Sequence, residues 1–348
     1  MAYTTIDDPE ANFQVQLYTG NGSANHAITL GGDTNMQPDF VWIKNRDAAD
    51  SHCLFDAVRG ATKVLHADAT TAEVTDTDTL DSFTSDGFQV DADVKVNTNA
   101  EKYVAWCWKG ANGTATNTSG DKDSTVSVNT TAGISIVKWE NDTDEAISIG
   151  HGLGAIPDAV IVKELGDAVN WHGRFKGFAA NDYIHLNTNE AKGASTAVFA
   201  TLPTSALFYT GTAAYHINAN LIAYCFTSIQ GFSKIGSFIG NGNADGPMVY
   251  TGFSPAYVVV KNSGGSEAWN VWNNKTPGYN VANKNLQPNS TAAEQTSSAG
   301  VKEIDFLSNG FKIRGSNTEL NQSGNTHIYM AFAEAPLVNS NGVPCTAR

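Results

Sequence analysis

Short apolar runs alternate with polar, glycine-marked stretches along the whole chain. No window of a dozen residues carries an i, i+3, i+4, i+7 apolar stripe between capping residues, so helices are not predicted. One run recurs three times: Pro38-Asp39-Phe40-Val41-Trp42-Ile43-Lys44, Pro157-Asp158-Ala159-Val160-Ile161-Val162-Lys163 and Pro255-Ala256-Tyr257-Val258-Val259-Val260-Lys261. The spacing is about a hundred residues, the size of a small domain. Each run is apolar at consecutive positions, which predicts a strand covered on both faces. Proline opens each run, where no ladder hydrogen bond need be lost. The closing Lys44, Lys163 and Lys261 read as strand-end charges that return the chain to solvent.

The neighbours of the phrase keep register with it. Before it stand Leu17-Tyr18-Thr19-Gly20-Asn21-Gly22, Val137-Lys138-Trp139-Glu140-Asn141-Asp142-Thr143 and Phe238-Ile239-Gly240-Asn241-Gly242, each a strand that enters a turn. Short second strands follow at Ala27–Gly31 and Ala146–Gly150. Eight residues past each lysine stands a ring, His52, Trp171 or Trp269, and three further on stand Phe55, Arg174 and Trp272. These predict a strand that packs back on the first. Asp86-Gly87-Phe88, Ala206-Leu207-Phe208 and Asn309-Gly310-Phe311 start the penultimate strands. The closing strands are Tyr103–Trp108, Leu221–Phe226 and Tyr329–Phe332, with Ala105, Ala223 and Ala331 aligned and Trp106, Tyr224 and Phe332 beside them.

The predicted fold is all-β: three tandem antiparallel β-sandwich repeats of jelly-roll type. They span 13–111, 134–231 and 232–336, between an N-terminal segment 1–12 and a C-terminal tail 337–348. Residues 112–133, rich in Gly, Thr, Ser, Asn and Asp, read as a linker or surface loop. No such stretch separates the last two repeats, which predicts that those two are close-packed and the first more independent.

Composition narrows the function. Hydrophobic residues make up 41% of the 348, enough for packed cores, and only 16% are charged. The net charge of −14 repels phosphate backbones and argues against nucleic-acid partners. Cys53, Cys107, Cys225 and Cys345 form no CxxC pair and read as free buried thiols. No basic region followed by an apolar stretch opens the chain, which predicts synthesis in a cytoplasm without a secretory signal. No apolar run is long enough to span a bilayer, so no membrane insertion is expected.

Catalytic patterns are missing: no nucleophile elbow, phosphate loop, HExxH helix or dinucleotide fingerprint. Gly150-His151-Gly152-Leu153-Gly154 precedes a strand rather than a helix, so it reads as a turn. The acid pairs Asp76/Asp78, Asp91/Asp93, Asp121/Asp123 and Asp142/Asp144 lack the glycine and terminal glutamate of a calcium loop and read as solvated loop acids. No metal, cofactor or catalytic residue is assigned. Trp171, Trp269 and Trp272 stand among Asn, His and Gly outside the most apolar runs. They are the candidate glycan contacts, because an indole face stacks on the C–H face of a sugar.

The phrase from Gly150 to Lys163, the Asp-Gly-Phe strand start, the closing Tyr329-Met330-Ala331-Phe332 and the tail Gly342-Val343-Pro344-Cys345-Thr346-Ala347-Arg348 resemble a family of tail-associated bacteriophage virion proteins, many of them marine, built of uncharacterised β-repeats. The resemblance covers most of 13–348. It implies a non-enzymatic structural or adhesive role, as a tail-fibre or receptor-binding component that meets a host-surface glycan. Other virion proteins are the implied partners, with a symmetric homo-oligomer expected and a trimer favoured. A rival expectation is a capsid or neck decoration protein, to which the dozen or so residues before the first strand are better suited than to a fibre anchor. A more distant one is a polysaccharide depolymerase that uses acids such as Asp142 or Asp144.

Overall fold

The computed structural model describes residues 2–345, so Thr346, Ala347 and Arg348 of the tail lie outside the described residues. Residues 13–111 form β1 (Phe13–Thr19), β2 (His26–Thr29), β3 (Phe40–Asn45), β4 (Cys53–Asp56), β5 (Lys63–His66), β6 (Val74–Thr75), β7 (Leu80–Thr84), β8 (Gly87–Val90), the single-turn helix α1 (Val94–Asn97) and β9 (Lys102–Trp108). Next come β10 (Ala115–Asn117), β11 (Ser124–Asn129), β12 (Ile134–Asn141), β13 (Ser148–Gly150), β14 (Ala159–Glu164), β15 (His172–Phe175), β16 (Asp182–His185), β17 (Gly193–Ala194), β18 (Leu207–Tyr209) and β19 (Ala219–Phe226). The last third holds β20 (Ser233–Ile239), β21 (Met248–Tyr250), β22 (Phe253–Asn262), β23 (Asn270–Asn273), β24 (Lys284–Asn285), β25 (Gln295–Thr296), β26 (Ile304–Leu307), β27 (Gly310–Ile313), α2 (Thr318–Asn321) and β28 (Thr326–Pro336).

The fold is all-β, with several antiparallel sheets. The larger sheets run β1-β9-β3-β4-β5-β6, β10-β11-β12-β19-β14-β15-β16-β17 and β20-β28-β22-β23. Smaller ones are β2-β8-β7, β13-β18, β21-β27-β26 and β24-β25. Each phrase strand therefore lies in the middle of a sheet, between a closing strand and the ring-bearing strand after it. Pro255 sits inside β22, at a register shift, where a missing N–H disturbs no ladder.

Alternation explains why the phrase strands are apolar on both faces. Phe40 and Trp42 of β3 join one large core, while Val41 and Ile43 join a second core with Phe88 and Val90. In β14, Ala159 and Ile161 enter the large core, and Val160 and Val162 enter a third core with Phe208. The large core collects one face of β3, β9, β14 and β19 and both faces of β22 and β28. Its rings cross between the thirds of the chain: Phe40 stacks on Tyr224 at 4.4 Å. Trp108 lies 6.2 Å from Phe226, 5.8 Å from Tyr257 and 5.5 Å from Phe332. Each buried ring removes roughly 150–250 Å² from water, so this core holds the three parts together.

Main-chain bonds close the same contacts into a ring. The Glu73 N–H donates to Leu165 O (2.8 Å), Lys192 N–H to Ser263 O (2.9 Å) and Glu294 N–H to Arg46 O (2.8 Å). All three acceptors stand two residues past a phrase lysine. Trp171 Nε1 donates to His66 O and Trp269 Nε1 to His185 O, both at 2.9 Å. His52, at the corresponding place in the first third, turns toward the Gln287 backbone without reaching hydrogen-bond geometry. Arg46 adds a two-pronged pair with Glu294 at 2.9 and 2.8 Å.

Several expectations are corrected. The first third is not the more independent one, since it contacts both others through Trp108, Glu73 and Arg46. The turn-forming composition of 112–133 conceals β10 and β11, which extend the second large sheet, so that stretch is no linker. The closing strands align two residues differently in the last third. Lys44, Lys163 and Lys261 pair with Val104, Ile222 and Ile328, which puts Met330, not Phe332, level with Trp106 and Tyr224. The three lysines do not return to solvent: all are buried. Lys44 Nζ donates to Asn45 O (2.6 Å) and Ala48 O (3.1 Å), Lys163 Nζ to Glu164 O and Asp167 O, and Lys261 Nζ to Asn262 O and Gly265 O. Carbonyls of the next turn converge on the ammonium and replace its water. Burial lowers each lysine pKa to about 8. Cys53, Cys107 and Cys225 are buried free thiols as expected, whereas Cys345 is exposed.

Candidate functional site

The three candidate glycan contacts are inside the protein. Trp171, Trp269 and Trp272 are 0, 2 and 0% exposed, so none offers a ring face to a ligand. Their polar sequence neighbours are misleading because those neighbours are buried too. Arg174 donates to the carbonyls of Ala179 and Ala180, and Asn270 to Glu319 Oε2. Trp171 and Trp269 line, with Phe40, Trp42, Trp108 and Met330, an apolar cavity of about 30 Å³. A void of that size with apolar walls is a packing gap rather than a site.

Three open clefts lie on the last third of the chain; one, of about 390 Å³, is lined by Asp245, Glu303 and Arg314, and the other two carry exposed rings. The larger, about 840 Å³, runs between β20 and β21 and takes in Tyr3, Lys176, Lys234, Gly236, Phe238 and Tyr250. Tyr250 is 49% exposed, and Lys234 Nζ lies over its ring at 5.5 Å while donating to its carbonyl. Tyr3 OH donates to Gly252 O (2.7 Å) and ties the N-terminal segment to this wall. The smaller cleft, about 360 Å³, is lined by Asn273, Asn274, Tyr279, Asn280, Phe306 and Asn309. Tyr279 is 72% exposed, the most open of the large apolar or aromatic side chains among the described residues. Asn280 is fixed by a bond from its Nδ2 to Phe306 O and one from Phe306 N–H to its Oδ1. Asn274 Oδ1 is buried without a protein partner. No carboxylate lines either of these two clefts.

Among the described residues, one group of acids and histidine has donor atoms close enough to share an ion: Glu164, Asp167 and His216, within 4.8 Å of one another. Glu164 ends β14 and is fully buried, and both its oxygens are engaged. The His216 backbone N–H reaches Oε2 at 3.0 Å, and His216 Nδ1 is 2.8 Å from Oε1. Asp167 Oδ2 is 3.6 Å from the same nitrogen. The Lys163 ammonium on the adjoining carbonyls already supplies positive charge, so the cluster reads as an ion pair. The hydrogen bond to Glu164 raises the His216 pKa above 6.5. A raised folded-state pKa stabilises below the unfolded value, and that contribution is lost as pH rises through the folded value. The proton resonances of His216 are therefore expected to titrate above those of an ordinary histidine, and Glu164→Gln to abolish the difference. An NMR titration in which the variant shows no change would break this assignment.

Sequence reasoning missed the clefts and this cluster. Tyr279 stands in a Gly/Asn/Pro stretch that signals only a turn, and His216 lies far along the chain from Glu164. Several of the acids singled out from sequence are tied to protein partners: Asp121 Oδ2 accepts from Ser148 N and Oγ, Asp91 Oδ1 accepts from Asn25 N, Asp93 caps α1, and Asp142 pairs with Lys122.

Residues 8–336 match the model of a family described as "Domain of unknown function (DUF7483)". The chain belongs to the DUF7483 family. No curated protein and no solved structure matches it. The DUF7483 match spans all three large sheets and the three clefts, so the family unit contains the whole ring of contacts rather than one third of it.

Proposed function

We propose that this DUF7483 chain is a non-enzymatic bacteriophage virion protein built of three β-sandwich units. In this reading it is a tail-fibre or receptor-binding component whose Tyr279 cleft holds a host-surface glycan. The order first strand, closing strand, phrase strand, ring-bearing strand recurs in the three larger sheets and supports the three-unit reading. The observation that carries the binding reading is the Tyr279 cleft itself. An exposed ring suits the apolar face of a sugar, and the amides of Asn273, Asn274, Asn280 and Asn309 suit its hydroxyls. One such site is weak, and several copies on a virion would add avidity.

The two ring-bearing clefts do not support the depolymerase reading, because glycoside hydrolysis needs two facing carboxyl groups and neither of these clefts is lined by one; in the third cleft Asp245 is paired with Lys312 and Glu303 accepts from Gly300 N–H. Capsid or neck decoration stays as the second reading, favoured by the uncovered edge of β20. Screening the protein against host-envelope glycans is the test. Tyr279→Ala and Asn274→Ala are each expected to weaken the best ligand by roughly tenfold, with unchanged melting. A ligand that binds both variants as well as the parent would remove the cleft from the account. Density on the capsid lattice in a virion map, rather than on the tail, would favour decoration.

A further inference from the structure

The leading strands of the three larger sheets have their outer edges treated in three ways. The edge of β12 is covered by β11, paired from Ser124 against Trp139 to Asn129 against Ile134. The residues before β11 also close the neighbouring β13, through a bridge from Lys122 to Ile149 and a bond from Asp121 N–H to Ser148 O. Beside β1 the opening is small, about 230 Å³, and glutamine amides occupy its wall: Gln14 accepts from Gly32 N–H and donates to Glu10 O, and Gln16 donates to Leu17 O. β20 has neither cover. Among the described residues its only sheet neighbour is β28, and β21 across the groove pairs only with β27. Along its outer edge Ser233 N–H bonds Ile229 O and Ile235 N–H bonds Ser228 Oγ. Ser237 and Ile239, next in that alternation, are exposed.

Register shows what would fit. Ile134 and Ser233 pair with Phe226 and Phe332, so Ser135 corresponds to Lys234 and Val137 to Gly236. In β11, Val126 lies opposite Val137 and Val128 opposite Ser135. A strand added to β20 in the same manner would set an apolar side chain over Gly236. Two residues later, a side chain would face Lys234. The groove holds Lys176, which pairs with Asp158 at 2.9 Å, and Lys234, which has no acidic partner among the described residues, in a chain of net charge −14. Two copies joined edge to edge at β20 would bring a second Lys234 to the groove with no carboxylate to match it, which disfavours self-pairing.

We propose that the β20 edge is a docking site for an extended acidic segment of another protein, added antiparallel to β20 as β11 is added to β12. Main-chain bonds to the free edge would hold it, and a carboxylate opposite Lys234 would set its register. The site is separate from the Tyr279 cleft and does not depend on the glycan reading.

The test uses the whole chain and a labelled peptide, Ser-Thr-Val-Ser-Glu-Asn with short flanks, which is the β11 sequence with glutamate in the Val128 position. Fluorescence anisotropy should detect binding, weakened roughly fivefold when the glutamate is changed to lysine. Lys234→Glu should reverse that preference, a swap that a merely destabilised protein would not show. N-methylation of the peptide on its β20-facing edge, or Ser237→Pro with melting unchanged, should abolish binding. The proposal is overturned if no peptide binds or if N-methylation has no effect. It is also overturned if Lys234→Glu breaks up a concentration-dependent dimer, since a second copy would then be the occupant. Acidic oligosaccharides that bind the Ser237→Pro protein as tightly as the parent, but not Tyr250→Ala, would overturn it in favour of a sugar.

Discussion

Trp108→Ala is expected to destabilise the whole chain by about 3–5 kcal/mol, the usual range for truncating a fully buried tryptophan. Trp108 is 3% exposed, and its indole packs against Phe13, Phe40, Phe226, Tyr257 and Phe332. Those five rings come from all three parts of the sequence, so the cavity left behind would be shared among three sheets. Sheet signal in circular dichroism and tryptophan fluorescence should therefore lose intensity together in one transition at a lower denaturant midpoint. Two separate transitions, with only the first third affected, would contradict the shared core.

Arg59→Met is the second large effect. Arg59 is almost wholly enclosed, and it meets Asp56 at 2.5 Å and Glu73 at 3.1 Å. Its guanidinium also donates to Leu54 O and lies 3.4 Å from Tyr224 OH, which itself donates to Asp56 Oδ2 at 2.8 Å. The group joins the first third to the second. Removing the cation leaves the fully buried Asp56 carboxylate with no opposite charge, which costs about 3–5 kcal/mol. The double change Asp56→Asn with Arg59→Met should cost clearly less than the sum of the single changes, because the uncompensated charge is gone. Additive losses in chemical denaturation would show that the two side chains do not act as a pair.

Much of the fold was legible because strand chemistry is local. Proline at the start of each phrase, consecutive apolar residues after it and Asp-Gly or Asn-Gly before a phenylalanine predicted strands and turns that are present. Polar-looking segments misled. Residues 112–133 have turn composition yet include β11, whose hydrogen bonds come from β12 and need little from its side chains. The phrase lysines resemble surface charges, but the carbonyls that hold them belong to a turn whose shape is not written at the lysine. The tryptophans next to Asn and His were misjudged for the same reason: the partners that satisfy those polar groups are distant in sequence. Of the candidate site nothing was legible, since Tyr279, Asn274 and Asn309 meet only when β22, β23 and the β26–β27 turn are assembled.

The sequence by itself determined the all-β class, the three phrase strands and their covered faces, the buried thiols other than Cys345, and the net charge that opposes nucleic acid. The strand, face and thiol assignments follow from side-chain period and composition, which act over a few residues; the exclusion of nucleic acid from net charge remains an expectation. Tertiary structure alone decided that the three parts share one aromatic core, that the phrase lysines and Trp171, Trp269 and Trp272 are buried, and that β12 is covered while β20 is bare. Each of those depends on which distant strand arrives at an edge or a face, and a side chain's exposure is set by that arrival rather than by its neighbours in the chain.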